Sequence, residues 1–410
     1  MPFSDRPARR DFSPGDGARA ARRFAFVSTC PELWGGSEEL WSGAAAALAE
    51  RGHRVAAYKT GVDARHPSVM RLKALSCPVR NLPSTQLLPL PVVLRVHMAA
   101  LASHLVARRP DLFVISQGDN QDGLYFANLG RKLRIPYTLI SQKATDYFWP
   151  RDDARAGVRE LFRGAARCFF VSEHNRRLTE DQIGLHLPNA EVVRNPYIVR
   201  AEGALPWPGG EDECLRLACV ARLYLLDKGQ DILLRVLARE KWRARPLCVS
   251  FYGRGINAEA LVDLAARLGL RSVSFEGQTA DVAAVWREHH ALVLASRAEG
   301  LPLALVEALM CGRPAVVTKV GGSAEVVEEG VTGFLAEPSE DSLDAALEKL
   351  WARREGLREM GLRAAERIRG LVPPDPAGEF ADRLAEIADA CALDGKGRAA
   401  GLESGRSSEA

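Results

Sequence analysis

A chain of 410 residues is long enough for two or three domains at roughly 150 residues each, and its 47% apolar and 26% charged residues are those of ordinary globular protein. Eight cysteines (30, 77, 168, 214, 219, 248, 311 and 391) contain no Cys-x-x-Cys pair and sit mostly in apolar runs, which excludes a disulfide frame or zinc site and predicts buried reduced thiols. No apolar core follows the N-terminal charges, so no secretory signal is expected, and Leu87 to Val106 is too interrupted by Pro89, Pro91, Arg95, His97 and His104 to span a membrane. The net charge of +3 hides an asymmetry: residues 1–200 hold 29 basic and 19 acidic side chains, whereas the remaining 210 hold 26 and 33. A basic front half suits a lipid phosphate, an anionic membrane surface or an acidic glycan; an acidic back half suits something else.

In chain order, residues 1–21 are polar and rich in Pro, Gly and Arg, and read as a disordered tail. Apolar strands are predicted at Phe24–Ser28, Val55–Tyr58, Leu112–Ser116, Tyr137–Ser141 and Cys168–Ser172, with a helix over Ser37–Glu50 after the first. A polar linker follows Asn195-Pro196 to about Asp212. Strands resume at Leu215–Ala221, Leu247–Tyr252, Ser272–Phe275, Ala291–Ala295 and Ala315–Thr318. Near-continuous apolar runs mark parallel strands buried on both faces, so the chain reads as α/β with two Rossmann-like domains. Ligand sites then belong at the carboxyl ends of strands. The tail from 393 to 410 is Gly/Ser-rich and charged, hence expected to be mobile.

Three loops at such strand ends carry chemistry. Trp34-Gly-Gly-Ser-Glu-Glu39 follows the first strand; Gly35 and Gly36 allow close backbone approach, and Ser37 is placed to cap the helix and leave amides for an anion. Val220-Ala-Arg-Leu-Tyr-Leu-Leu-Asp-Lys-Gly-Gln230 sets Arg222 and Lys228 around a strand-to-helix turn, where two cations can clamp a diphosphate. Ser296 to Pro314 runs strand, loop, helix, with Pro302 suited to the first turn and Gly312-Arg-Pro as the stop. Glu299 and Glu307 lie eight positions apart, just over two turns, so both carboxylates are expected to face one cleft. The helix N-terminus between them is an anion site. A phosphate flanked by two hydroxyl-accepting carboxylates describes a nucleotide-sugar.

That Glu-x7-Glu element, with Val316-Val-Thr-Lys-Val-Gly-Gly-Ser-Ala-Glu325 and Gly330-Val-Thr-Gly333, resembles the donor site of retaining glycosyltransferases of the GT-B fold, in particular the GT4 group. The resemblance implies two Rossmann-like domains facing across a cleft, with a C-terminal helix crossing back to the first. It divides the chain into an acceptor domain (22–196), a nucleotide-sugar domain (197–372) and a crossover helix (373–392). It implies Glu299 on the donor sugar, the backbone of Gly300, Leu301, Pro302 and Leu303 on distal phosphate and sugar, and Glu307 on the ribose. Arg222 and Lys228 would neutralise the leaving diphosphate, and the Gly35-Gly36-Ser37 loop would shape phosphate and acceptor binding. Many members carry a histidine after the strand equivalent to Tyr137–Ser141; here Gln142 or Lys143 stands there.

The expected activity is metal-independent transfer from a nucleotide-diphosphate sugar to a glycan, lipid-linked or small-molecule acceptor. There is no Asp-x-Asp, and neither metal, cofactor nor nucleic acid is expected. The setting is cytoplasmic, with peripheral contact at an anionic inner membrane face as a corollary of the basic front half. Two other readings remain: a GT-B nucleotide-sugar epimerase or hydrolase, and a catalytically silent nucleotide-sugar-binding partner of a glycan assembly complex. Gly253-Arg-Gly-Ile-Asn-Ala258 with Glu276 mimics a dinucleotide fingerprint, but it follows the second strand of its domain and not the first, so NAD binding ranks well below nucleotide-sugar binding.

Overall fold

The computed structural model describes residues 20–30, 34–82, 90–199, 203–209 and 214–406, with side chains in all of these but 90–97 and 394–406. Among them, seven strands form a first parallel sheet: β1 (Arg23–Ser28), β2 (Arg54–Thr60), β3 (Val79–Leu82), β4 (Leu112–Gln117), β5 (Tyr137–Ser141), β6 (Arg167–Phe170) and β7 (Ala190–Val192). Six more form a second: β8 (Leu215–Val220), β9 (Leu247–Tyr252), β10 (Val273–Gly277), β11 (Ala291–Leu294), β12 (Ala315–Thr318) and β13 (Gly333–Ala336). The orders are 3-2-1-4-5-6-7 and 10-9-8-11-12-13. Each sheet therefore reverses its winding once, between β1 and β4 and between β8 and β11, and such a switch point opens a crevice at the strands' carboxyl ends.

Burial explains which strands the apolar runs betrayed. β4 is buried at all six positions, and β11 and β12 at all four. Two strands with no such run, β3 and β7, lie at sheet edges, where one flank has no neighbour and less side-chain burial is demanded. Of the cysteines, 30, 77, 168, 219 and 311 are buried as expected, but Cys248 is exposed because β9 alternates its faces. Leu90–Arg108 is a helix, and no helix of the described residues is long and apolar enough to cross a membrane.

The last helix runs Pro376–Arg406. It returns to the first sheet, burying Phe380, Ala381, Leu384 and Ala388 against Trp41, Ala44 and Leu48 of the helix Gly36–Glu50. Phe380 meets Phe169 edge-on at 4.9 Å, and Arg22 pairs with Asp389 at 2.7 Å. The expected end at 392 is a correction: the helix continues fourteen residues further, because extending an existing helix avoids the cost of nucleating one. The tail expected over 1–21 lies outside the described residues except for Ala20 and Ala21, as do 407–410 and parts of the linker.

Candidate active site

The two switch points face each other, and between them lies a cavity of about 430 Å³. From the second domain its wall takes Arg222, Tyr224, Asp227 and Lys228 after β8, and Glu299 to Ala304 after β11. The first domain contributes Gly35, Gly36 and Ser37 after β1, Gly118, Asp119 and Asp122 after β4, and Gln142 and Lys143 after β5.

On the second-domain side the geometry is local and tight. Leu225–Lys228 is a single helical turn, closed by Gly229 before the helix Gln230–Leu237 begins. Lys228 Nζ donates to Glu299 Oε1 at 2.6 Å, and Ser296 Oγ donates to the same oxygen at 2.8 Å. Pro302 is the cap of the helix Leu303–Met310, at φ −60° and ψ 122°, one position earlier than its expected place in the first turn. The amides of Leu303 and Ala304 thus open the helix on the cavity wall. Arg222 stands at the mouth, its side chain 42% exposed and 3.8 Å from Asp227.

Glu307 departs from the expectation that both carboxylates line one cleft. The wall stops at Ala304; Glu307 is buried one turn further on, where its Oε1 accepts the Ile198 N–H at 3.0 Å. Burial pushes its carboxyl up to about 7. Glu299 lies in the loop before the helix, which begins only at Leu303, so the two-turn spacing does not hold and Glu307 turns towards the segment at Ile198. Ser37 also differs from its expected role. Gly35 is the helix cap, no side chain bonds to it, and Ser37 Oγ points to Cys30 Sγ at 3.4 Å. Beneath the loop, buried Glu38 accepts from Ser28 Oγ at 2.9 Å and Trp41 Nε1 at 2.7 Å, with Lys59 3.8 Å away.

Two glycines let the domains approach. A Cβ on Gly300 would sit 2.1 Å from the Gln142 carbonyl oxygen, and one on Gly36 would sit 2.7 Å from Leu303 Cδ1. Lys143 crosses the same gap: its Nζ donates to Asp227 Oδ2 at 2.9 Å, and Asp119 lies 3.9 Å away. Burial alone would lower the Lys143 ammonium, but the facing carboxylates, Asp227 foremost, hold it above its ordinary range. Asp227 also accepts the Tyr147 hydroxyl at 2.7 Å.

Asp119 and Asp122 are site residues that sequence reasoning missed. Half-buried Asp119 is pushed up by desolvation, whereas Asp122 is exposed to the cavity and accepts the Asp119 N–H at 3.0 Å. Their position just past a buried strand was a usable signal. Gln142 and Asn195 bond each other at 2.8 Å, leaving Gln142 Nε2 and Asn195 Oδ1 buried at the cavity without a partner among the described residues. A second cavity, about 550 Å³, adjoins behind Leu223, walled by Ala258, Val262 and Phe275 and by the Gly253-Arg-Gly255 turn. Those glycines serve packing: a Cβ on Gly253 would lie 2.0 Å from the Ala221 carbonyl oxygen.

Two parallel α/β domains facing at their switch points, with a terminal helix returning to the first, make the GT-B architecture. Residues 215–353 match the model of glycosyl transferases group 1, and residues 35–197 match that of the glycosyl transferase 4-like domain. The chain is 40% identical over 101 residues to the Vi polysaccharide biosynthesis protein VipC/TviE of Salmonella typhi, covering 23% of this chain and 18% of that protein. It is 26% identical over 232 residues to the GDP-mannose-dependent alpha-(1-6)-phosphatidylinositol monomannoside mannosyltransferase of Mycolicibacterium smegmatis, covering 51% of this chain and 59% of that protein. The matches thus span less than two thirds of either relative. The fold superposes on Anabaena Alr3699/HepE, solved in complex with UDP, with a TM-score of 0.70 and 19% identity, covering 89% of this chain and 100% of that one. The chain belongs to the group 1, GT4-like glycosyltransferase family.

Proposed function

We propose that the chain is a metal-independent, retaining glycosyltransferase that moves a sugar from a nucleoside-diphosphate sugar to a glycan, lipid-linked or small-molecule acceptor. The observation that carries this is the Lys228–Glu299 pair, set beside Arg222 and the amides of Leu303 and Ala304 on one cavity wall. The base would enter the apolar recess behind Leu223, and the diphosphate would meet Arg222, Lys228 and the helix amides. Glu299, Gly300–Leu303, Gln142 Nε2 and Asn195 Oδ1 offer acceptors and donors for sugar hydroxyls. Glu307, one turn along the same helix with its Oε1 on the Ile198 amide, is the carboxylate assigned to the ribose.

In the reaction, the bond from the anomeric carbon to the phosphate oxygen breaks and a bond to the acceptor oxygen forms on the same face. The acceptor proton passes to the departing phosphate. The cations stabilise charge that grows on that phosphate, which is where a transferase site gains rate. Protein cations stand in for a metal, and no further cofactor is invoked. Residues 22–196 act as the acceptor domain and 197–372 as the donor domain. The setting is cytoplasmic, with peripheral contact at an anionic membrane face.

A screen of nucleotide-sugars for thermal stabilisation tests the donor, since a ligand that binds the native state raises its melting temperature. A shift with one nucleotide-sugar, followed by acceptor-dependent release of its diphosphate, is expected. Release without any acceptor would instead favour a hydrolase, and no shift with any nucleotide-sugar would overturn the reading.

A further inference from the structure

Past Lys143, the loop after β5 carries Tyr147, Phe148 and Trp149 in succession, 50%, 53% and 53% exposed. A single exposed aromatic needs no explanation, but three in a row at the mouth of a cavity mark a surface with a partner. The loop is not slack. Gln121 Nε2 donates to the Phe148 carbonyl at 3.0 Å, and buried Gln182 Nε2 donates to that of Thr145 at 2.8 Å. Trp149 Nε1 closes back onto the Asp146 carbonyl at 2.8 Å, and Tyr147 is anchored by its hydroxyl on Asp227. The backbone is tied from below while the rings stay uncovered, so the surface is preorganised for whatever it meets.

Directly beside this rim a cleft of about 390 Å³ runs between the domains. Asp146, Glu173, Asp181 and Glu325 line it together with Arg177 and Lys319. Arg176 pairs with Glu173 at 2.5 Å, Arg194 with Glu325 at 3.0 Å, and Arg151 with Asp153 at 3.0 Å just past the aromatic run. The carboxylates are thus balanced by cations, although the first half of the chain is basic. An anionic lipid surface meets no excess of positive charge here. A sugar ring suits both features, because its C–H face packs on an aromatic ring while its hydroxyls donate to carboxylates.

We propose that Tyr147, Phe148 and Trp149, with the adjoining charge-balanced cleft, form the acceptor platform, and that its occupant is an uncharged glycan chain of two or more sugars. The proposal rests on the glycosyl-transfer reading of the donor cavity and narrows its acceptor. The chain's rings stack along the aromatic rim, its hydroxyls reach Asp146 and the cleft carboxylates, and its terminal hydroxyl points past Lys143 to the donor sugar. Tyr147 serves a second purpose by tying the platform to the donor domain through Asp227.

The test uses the full chain on an array of neutral oligosaccharides of two to six sugars, beside Phe148→Ala and Trp149→Ala. Both substitutions remove exposed rings, so unchanged melting temperatures are expected. The parent should bind a subset of the array, and each variant should bind it at least tenfold more weakly, while the melting shift given by UDP or GDP is unchanged. Once a transfer assay exists, KM for the acceptor should rise by that factor with kcat altered less than twofold. Equal glycan binding by parent and variants would overturn the platform, as would parent binding to phosphatidylglycerol vesicles but to no oligosaccharide. The nucleotide arm separates the two readings: no nucleotide shift in the parent overturns the donor site beneath, whereas a shift without glycan binding overturns the platform alone.

Discussion

The two walls of the cavity are held in different ways. Apart from Asp227, the second domain fixes its charges within itself: Lys228 lies on Glu299, Ser296 supports the same oxygen, and Arg297 pairs with Asp231 at 2.7 Å one layer behind. The first domain leaves its charges open. Half-buried Asp119 is pushed towards protonation by desolvation, and the cation beside it on that wall, Lys143, is held by Asp227 of the other domain. A wall wired within one domain presents the same site whatever the cleft does. A wall that borrows its partner across the gap changes when the gap changes. A fixed second-domain wall suits the proposed diphosphate site, and a first-domain wall that borrows its partner suits a cleft that closes.

The largest effect should come from the wired wall. Lys228→Ala removes a cation where leaving-group charge develops and is expected to lower the transfer rate by about 10² to 10³, as loss of one preorganised electrostatic group does. It also strips a buried carboxylate of its main partner, so denaturant melts should register a loss of roughly 1–3 kcal/mol. Glu299→Gln, which keeps the shape, should lose transfer with a smaller stability change. Near-normal rates in both variants would break the comparison at its stronger side.

Next is the seam between the walls. Gly300→Ala places a methyl group 2.1 Å from the Gln142 carbonyl oxygen and must push the domains apart, at about 1–3 kcal/mol for an overpacked contact. Transfer should fall at least tenfold, and small-angle scattering should report a larger radius of gyration. An unchanged radius with full activity would show that the approach is unnecessary.

Glu307, one turn behind the second-domain wall, responds to pH. Burial pushes its folded carboxyl up to about 7 from the usual 4.5, because desolvation disfavours the charged form. Between those values the folded chain binds the proton and the unfolded chain does not, so stability falls as pH rises across that window and levels off above 7. Glu307→Gln, which mimics the protonated acid, should match the parent at low pH and exceed it by on the order of 2 kcal/mol at pH 8, read by urea melts. Equal stabilities at pH 8 would mean that Glu307 is charged at no cost.

A smaller effect belongs to the borrowed pair. In a double-mutant cycle, Lys143→Ala and Asp227→Asn should couple by about 0.5–3 kcal/mol, as residues in one hydrogen-bonded network do. Additive losses would remove the cross-domain tie from the argument. The smallest expected effect is none: EDTA should leave the rate of transfer unchanged, since Arg222, Lys228 and Lys143 provide the positive charge. A strict requirement for added Mg²⁺ in the chemical step would refute that account.

Much of the donor wall could be read without coordinates because its parts are close in sequence. A buried parallel strand announces itself as an unbroken apolar run, as at β4, β11 and β12, and the loop that follows is where ligands are met. Arg222, Lys228 and Glu299 each follow such a strand in one domain, so local order sufficed to propose them. What tertiary structure alone decided depends on pairs far apart in the chain. Lys143 finds Asp227 from 84 residues away, and Glu307 turns to the amide of Ile198, 109 residues before it, and not to the cleft. Asp119 and Asp122 are ordinary aspartates by sequence; only the fold brings them onto the cavity wall. The edge strands β3 and β7 were silent because half-exposed positions need no apolar pattern. Strand and loop chemistry is set by near neighbours and leaves a mark in the sequence, whereas desolvation and cross-domain pairing are set by distance in space, which the order of residues does not record.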